Sequence, residues 1–284
     1  MNFDPWIGRE QRATDRLDEA LAKRWLATFD LAHRDPLPQG IHFALCTPDA
    51  PTGALGEDGH PARDDSAESF LPPFPQFGSG PRRMWASSAI EFLAPITVGA
   101  AITRTSRVVS ISEKEGGSGK LAFVNVEHET SADGALAVRE VQTLVYRDAA
   151  ARDAQLSPPE PGHGAFDATA WDATRTLTPD PRLLFRYSAL TFNTHRIHYD
   201  APYAREVERY RGLVVHGPLT ASLLLQLAAR ELGENALKRF EFRGVSPAIA
   251  GDELHLAMRK SGDAYELSAF ASDGRQITKA SASL

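Results

Sequence analysis

Cysteine is almost missing from this chain: Cys46 stands alone among 284 residues. An internal disulfide framework is therefore excluded, and a reducing compartment is expected. Long apolar runs are missing as well, since none approaches the roughly 18 residues of a membrane-spanning helix. The stretch MNFDPWIGREQRATDRLDE carries neither the basic start nor the apolar core of a secretory signal. Together these absences predict a cytoplasmic protein with no membrane partner. Positive charge is in deficit, with 31 Lys and Arg against 37 Asp and Glu and a net charge of −6. No nucleic-acid partner is expected from such a balance, and an anionic ligand needs a local basic patch. Also absent are the G-x-S-x-G elbow of a serine hydrolase, an HExxH motif or cysteine pair for zinc, and a glycine-rich phosphate loop after a strand. Metal-dependent chemistry is accordingly not expected.

What is present is an ordinary globular composition, 42% apolar and 24% charged, in a length at which single cores divide into two. Residues Asp15 to Asp30 place Leu17, Leu21, Trp25 and Phe29 at i+4 steps, which predicts an amphipathic helix. From Leu37 to Arg82 the chain is rich in Pro, Gly, Asp and Ser and reads as a long loop. Four alternating stretches follow, SSAIEFLAPI, AITRTSRVVSIS, KLAFVNVEHET and ALAVREVQTLVYR, with turns at EKEGGSG and SADG, so an antiparallel meander is predicted. A Pro/Gly-rich linker, Ser157 to Gly164, marks a boundary between units at 1–155 and 165–284. The second unit has a nearly all-apolar helix, Leu219 to Leu232, stopped by Gly233, and four more strands. IEFLAPITVG is echoed by FEFRGVSPAIAG, and ADGALAVREVQ by SDGRQITKASA, which points to one unit used twice.

The chemistry-bearing stretch is TFNTHRIHYD, Thr191 to Asp200, followed closely by GLVVHGPL. It offers Asn193, His195, Arg196, His198, Tyr199 and Asp200, then His216 and Gly217 where the apolar helix begins. An imidazole titrates near pH 6.5 and can take a proton from water at neutral pH. Asn193 can orient a water but cannot transfer a proton. Gly217, before Pro218, opens a helix whose free N–H groups and dipole would steady a developing negative oxygen.

The segment RYSALTFNTHRIHYDAPYAREVERYRGLVVHGPL resembles the signature of the MaoC-like hydratase 2 group of hotdog enzymes. More narrowly it is similar to the double-hotdog branch holding 3-hydroxyacyl-thioester dehydratase type 2 and the mesaconyl-CoA and itaconyl-CoA hydratases. LGEDGHP, PRRMWASSAIEFLAPITVG and FVNVEHE extend the likeness into the first half. The resemblance implies an α+β double hotdog, two antiparallel sheets each wrapped round a long helix, with Leu219 to Leu232 and Asp15 to Asp30 as the helices. It implies reversible hydration of an enoyl-CoA thioester. CoA would be part of the substrate and no other cofactor is needed. In that family an Asp precedes the His by five residues; here His198 holds the His position and Asn193 the Asp position.

The expected roles are His198 as base, Asn193 holding the water and the Gly217 N–H holding the enolate oxygen, with His195 or Asp200 as fallback proton donors. His195, Arg196, Tyr199 and His216 are candidate substrate-binding residues of the same stretch. Arg82, Arg83 and Arg243 are candidates for the CoA phosphates, and a dicarboxylic acyl group would need a cation of its own. A homodimer is compatible with this reading, although two fused hotdogs already supply the pairing that single ones obtain by dimerising.

Overall fold

The computed structural model describes residues 2–62, 64, 66–77, 82–116 and 119–284. The tip of the EKEGGSG turn and parts of the loop before residue 82 lie outside the described residues. The elements are β1 (Glu10–Arg16), α1 (Glu19–Thr28), β2 (Arg82–Phe92), β3 (Ala101–Gly116), β4 (Gly119–Ala132), β5 (Ala135–Arg147) and β6 (Ala173–Leu177). They continue with α2 (Pro181–Thr191), α3 (Ala201–Glu206), α4 (Gly217–Leu232), β7 (Arg239–Gly244), β8 (Leu254–Ser261), β9 (Ala264–Ala271) and β10 (Gln276–Ser283). Among the described residues no helix is long and apolar enough to cross a membrane.

The fold is α+β. One correction concerns the sheet: the two expected sheets are joined into a single ten-stranded sheet, ordered β1-β3-β4-β5-β2-β7-β10-β9-β8-β6. Antiparallel pairing of β2 with β7, from Ser87↔Arg243 to Glu91↔Arg239, makes the join. That pairing removes two open strand edges that would otherwise expose unbonded backbone groups. Counted inward from each end, both halves run first, third, fourth, fifth, second strand. The two internal sequence echoes fall on matching places in this order, at β2 and β7 and at the hairpins β4–β5 and β9–β10.

A second correction concerns the first helix, which begins at Glu19 rather than Asp15. Asp18 ends the extended segment, its Oδ1 accepting the Leu21 N–H at 2.6 Å as an N-cap. Residues 10–16 pair instead with β3, an edge strand that is solvent-exposed along its length. Its side chains carry no apolar alternation, so no periodic signal announced it. The helix α2 also escaped the sequence reading; Asp180 caps it at the Leu183 N–H and Pro181 starts it.

The helix α4 is largely buried from Leu219 to Ala228, with Leu219, Leu223, Leu224 and Leu227 in the main core beside Phe240, Leu256 and Leu267. It packs on β6, β8, β9 and β10. Leu219 of its first turn is in that core, while Gly217, Pro218 and Thr220 line a cavity.

Candidate active site

That cavity, ≈ 1400 Å³, lies between the two halves, with Arg83, Trp85 and His128 on its first-half wall and Asn193, His198 and Gly217 on the other. It exceeds the range typical of drug-sized ligand sites, so a long thioester can enter.

The site is assembled by a loop from each half. Residues 56–60 of the first half dock on the 193–198 turn of the second: the Thr194 hydroxyl donates to the Gly59 carbonyl at 2.5 Å, and the Arg196 N–H donates to the Asp58 carbonyl at 2.9 Å. Gly59 has φ +87°, and a Cβ there would lie 1.9 Å from the Thr194 oxygen. Only glycine permits this approach.

His198 sits in a short 3-10 turn, Arg196–His198, and is 7% exposed. Its Nδ1 is 2.7 Å from the Val214 carbonyl oxygen. A carbonyl only accepts, so Nδ1 carries the hydrogen and Nε2 keeps its lone pair. The ring stacks on His216 at 3.6 Å between centroids, and His216 Nε2 meets the Ser188 hydroxyl at 2.9 Å. Burial pushes His198 down to about 4, with the Val214 hydrogen bond opposing and His60 adding to the fall. His195 is also held far below its ordinary value, by burial and then by His60 and His198. These rings are therefore neutral bases at pH 7.

Asn193 lines the cavity and its Oδ1 accepts the His195 N–H at 2.9 Å, which leaves the side-chain NH₂ as its free end. Gly217 is the first residue of α4, and its N–H has no backbone acceptor among the described residues. It too lines the cavity, so a bare donor at the positive end of a 16-residue helix faces the ligand space.

Several sequence-predicted residues stand elsewhere. Arg196 and Tyr199 do not line the cavity. The Arg196 guanidinium pairs with Asp200 Oδ2 at 2.8 Å and lies over the Tyr203 ring at 4.0 Å, while Tyr199 is half exposed. Asp200 caps α3, its Oδ1 accepting the Tyr203 N–H and its Oδ2 accepting from Arg196, and it does not line the cavity, so the fallback donor role is withdrawn from it. Arg82 lies 2.5 Å from Glu208 and against Tyr210, already neutralised. Arg243 is exposed on β7 away from the cavity. Arg83 remains on the cavity wall.

Two residues escaped the sequence reading. His60 lines the cavity and lies against the His195 ring, tilted at 38° with 4.0 Å between centroids, and its Nδ1 is 2.9 Å from Asp58 Oδ2. Burial lowers His60 more than Asp58 raises it. The only hint was EDGHP inside a loop of Gly, Pro and Asp. Among the described residues, Asp58, His60 and His195 are the one trio whose ligand atoms lie within 4.8 Å of one another. Their geometry is that of a hydrogen-bonded pair plus a tilted ring.

The family model for hydroxyacyl-thioester dehydratase type 2 matches residues 40–250. A mesaconyl-C(4)-CoA hydratase of Chloroflexus aurantiacus is 40% identical over 98% of this chain and 96% of its own length. Among solved structures, HtdX of Mycobacterium tuberculosis superposes with TM-score 0.67 at 19% identity, covering 97% of this chain and 99% of its own. Another protein of that bacterium, described as having a double hotdog fold, superposes with TM-score 0.54 at 18% identity over 97% and 95% of the two chains.

Proposed function

The chain belongs to the hydroxyacyl-thioester dehydratase type 2 family, a family of hydro-lyases, and from that premise we propose that it hydrates a short branched dicarboxylic enoyl-CoA of the mesaconyl type. The observation that carries the chemistry is the pairing, on one cavity wall, of the neutral His198 with the open N–H of Gly217. The relative at 40% identity over nearly the full length supports the acyl group.

Water must lose a proton as its oxygen attacks the β-carbon, while charge moves to the thioester oxygen. His198 Nε2 takes that proton from a water held by the Asn193 amide. The Gly217 N–H and the helix dipole hold the enolate oxygen, a contact of ~3 kcal/mol in a transition state. The imidazolium so formed is a strong acid, because burial disfavours its charge. It returns the proton to the α-carbon from the same face, which gives syn addition with no second acid. His216 and Ser188 hold the ring in place. We further propose two related units, 1–155 and 165–284, each a hotdog sheet round its own helix, in the cytoplasm.

The second reading is a straight-chain 3-hydroxyacyl-thioester dehydratase, favoured by the family match itself. Incubation of the protein with mesaconyl-C4-CoA and with crotonyl-CoA decides between them. Loss of enoyl absorbance without release of free thiol is expected, faster with the dicarboxylic thioester. Thiol release would make the protein a thioesterase, and faster turnover of crotonyl-CoA would favour the second reading.

A further inference from the structure

A dicarboxylic acyl-CoA keeps one free carboxylate a few bonds from its thioester carbonyl. Burying that charge beside the catalytic histidine is costly unless a cation meets it. We propose that Arg83 is this cation and sets the enzyme's preference for dicarboxylic over monocarboxylic acyl groups. This rests on the enoyl-CoA reading above and assigns its specificity.

The assignment follows from what the other arginines of the cavity wall are doing. Arg82 is paired with Glu208, and Arg12 is exposed beside Glu10. Arg104 donates to the His42 carbonyl at 2.7 Å and to the Thr130 hydroxyl at 3.2 Å. The charges that feel Arg104 are His42, His128, Glu140 and Cys46, none of them beside His198. Arg209 donates to the Ala154 carbonyl at 2.8 Å.

Arg83 and Arg147 are left without a hydrogen-bond or ion-pair partner among the described residues. The β2–β5 register separates them: Arg82 opposes Arg147, and Arg83 opposes Tyr146. Successive strand residues face opposite ways, so Arg147 shares its side with Arg82 and Tyr210, and Arg83 takes the other. The groups that feel the Arg83 charge are Asp58, His60 and His195, the last stacked edge-on to His198 at 5.5 Å. Asp58 feels this charge but forms no ion pair with Arg83 among the described residues; its carboxylate turns to His60, accepting the backbone N–H at 3.0 Å and lying 2.9 Å from Nδ1. A half-buried guanidinium with its fork free, on the wall of the cavity that also holds His195 and His198, is suited to bidentate capture of a carboxylate.

The test uses saturated thioesters, which bind without reacting. Calorimetric titration of the wild-type protein should show tighter binding of succinyl-CoA than of butyryl-CoA. In Arg83→Met the succinyl-CoA affinity should fall at least ~30-fold, the loss expected when one partner of a desolvated charge pair is removed. Butyryl-CoA affinity should stay within about threefold, and Arg83→Lys should recover part of the preference. Equal losses for both thioesters would overturn the proposal and place Arg83 on the CoA moiety or in the framework. A wild-type protein without preference would overturn it as well. An unfolding midpoint measured on each variant separates misfolding from lost recognition. If the preference disappears in Arg83→Met but no enoyl-CoA is hydrated by the wild type, the carboxylate site stands and the hydratase reading fails.

Discussion

At the scale of the residue, burial decides the ionisation state of the enclosed histidines. His198 is pushed down to about 4, His128 to about 4 and His42 to about 3, in each case chiefly by burial. All three lie below the ~6.5 of an exposed histidine, so as pH falls the unfolded chain takes up protons first. The stability they contribute is fully present above pH ~6.5 and is lost as pH falls through that value toward about 4. Glu140 and Glu208, raised by burial, work in the opposite direction, but His60, His195 and His216, also lowered by burial, add to the first effect. The urea midpoint should therefore drop steeply between pH ~6.5 and ~4.5; a flat midpoint across that window would show these rings to be solvated. His198 and Asn193 were legible in the sequence because they stand in one short motif. His60 and Asp58 were not, because nothing local in EDGHP says that the loop will dock on Thr194. Gly59 is where that docking is written, yet a glycine in a glycine-rich loop carries no distinguishing signal.

Among the elements, the apolar helix and the long strands were legible because their patterns are strong. Strand β5 and the hairpins at SADG and SDG are examples, since period-two alternation ending in a glycine turn has few other solutions. The edge strands β1 and β6 were not seen, the first for want of apolar alternation and the second for its length of five residues. Nor does either strand's sequence reveal that β2 and β7 pair across the two halves. Phe240 is the test of that join: it is fully buried, lies opposite Ile90 and belongs to the core containing α4. Phe240→Ala should cost ~3–5 kcal/mol. The transition should remain single and shift as a whole when followed both by tryptophan fluorescence and by far-ultraviolet dichroism. Two separated transitions would show that the halves fold independently.

For the whole molecule, two halves with the same strand order contribute different groups to one cavity. The first half contributes a docking loop, a cavity wall and Arg83, while the second contributes His198, Asn193 and the N-terminus of α4. A resemblance read from 34 residues of sequence located the second half's part, and the fold supplied the first half's. Everything in this account turns on His198 acting as the base. The most direct measurement is kcat for hydration of mesaconyl-C4-CoA by His198→Ala, with its unfolding midpoint taken on the same preparation. A fall of ~10²–10⁴ at an essentially wild-type midpoint is predicted; a fall of less than about tenfold would contradict the account, because a general base contributes more than that.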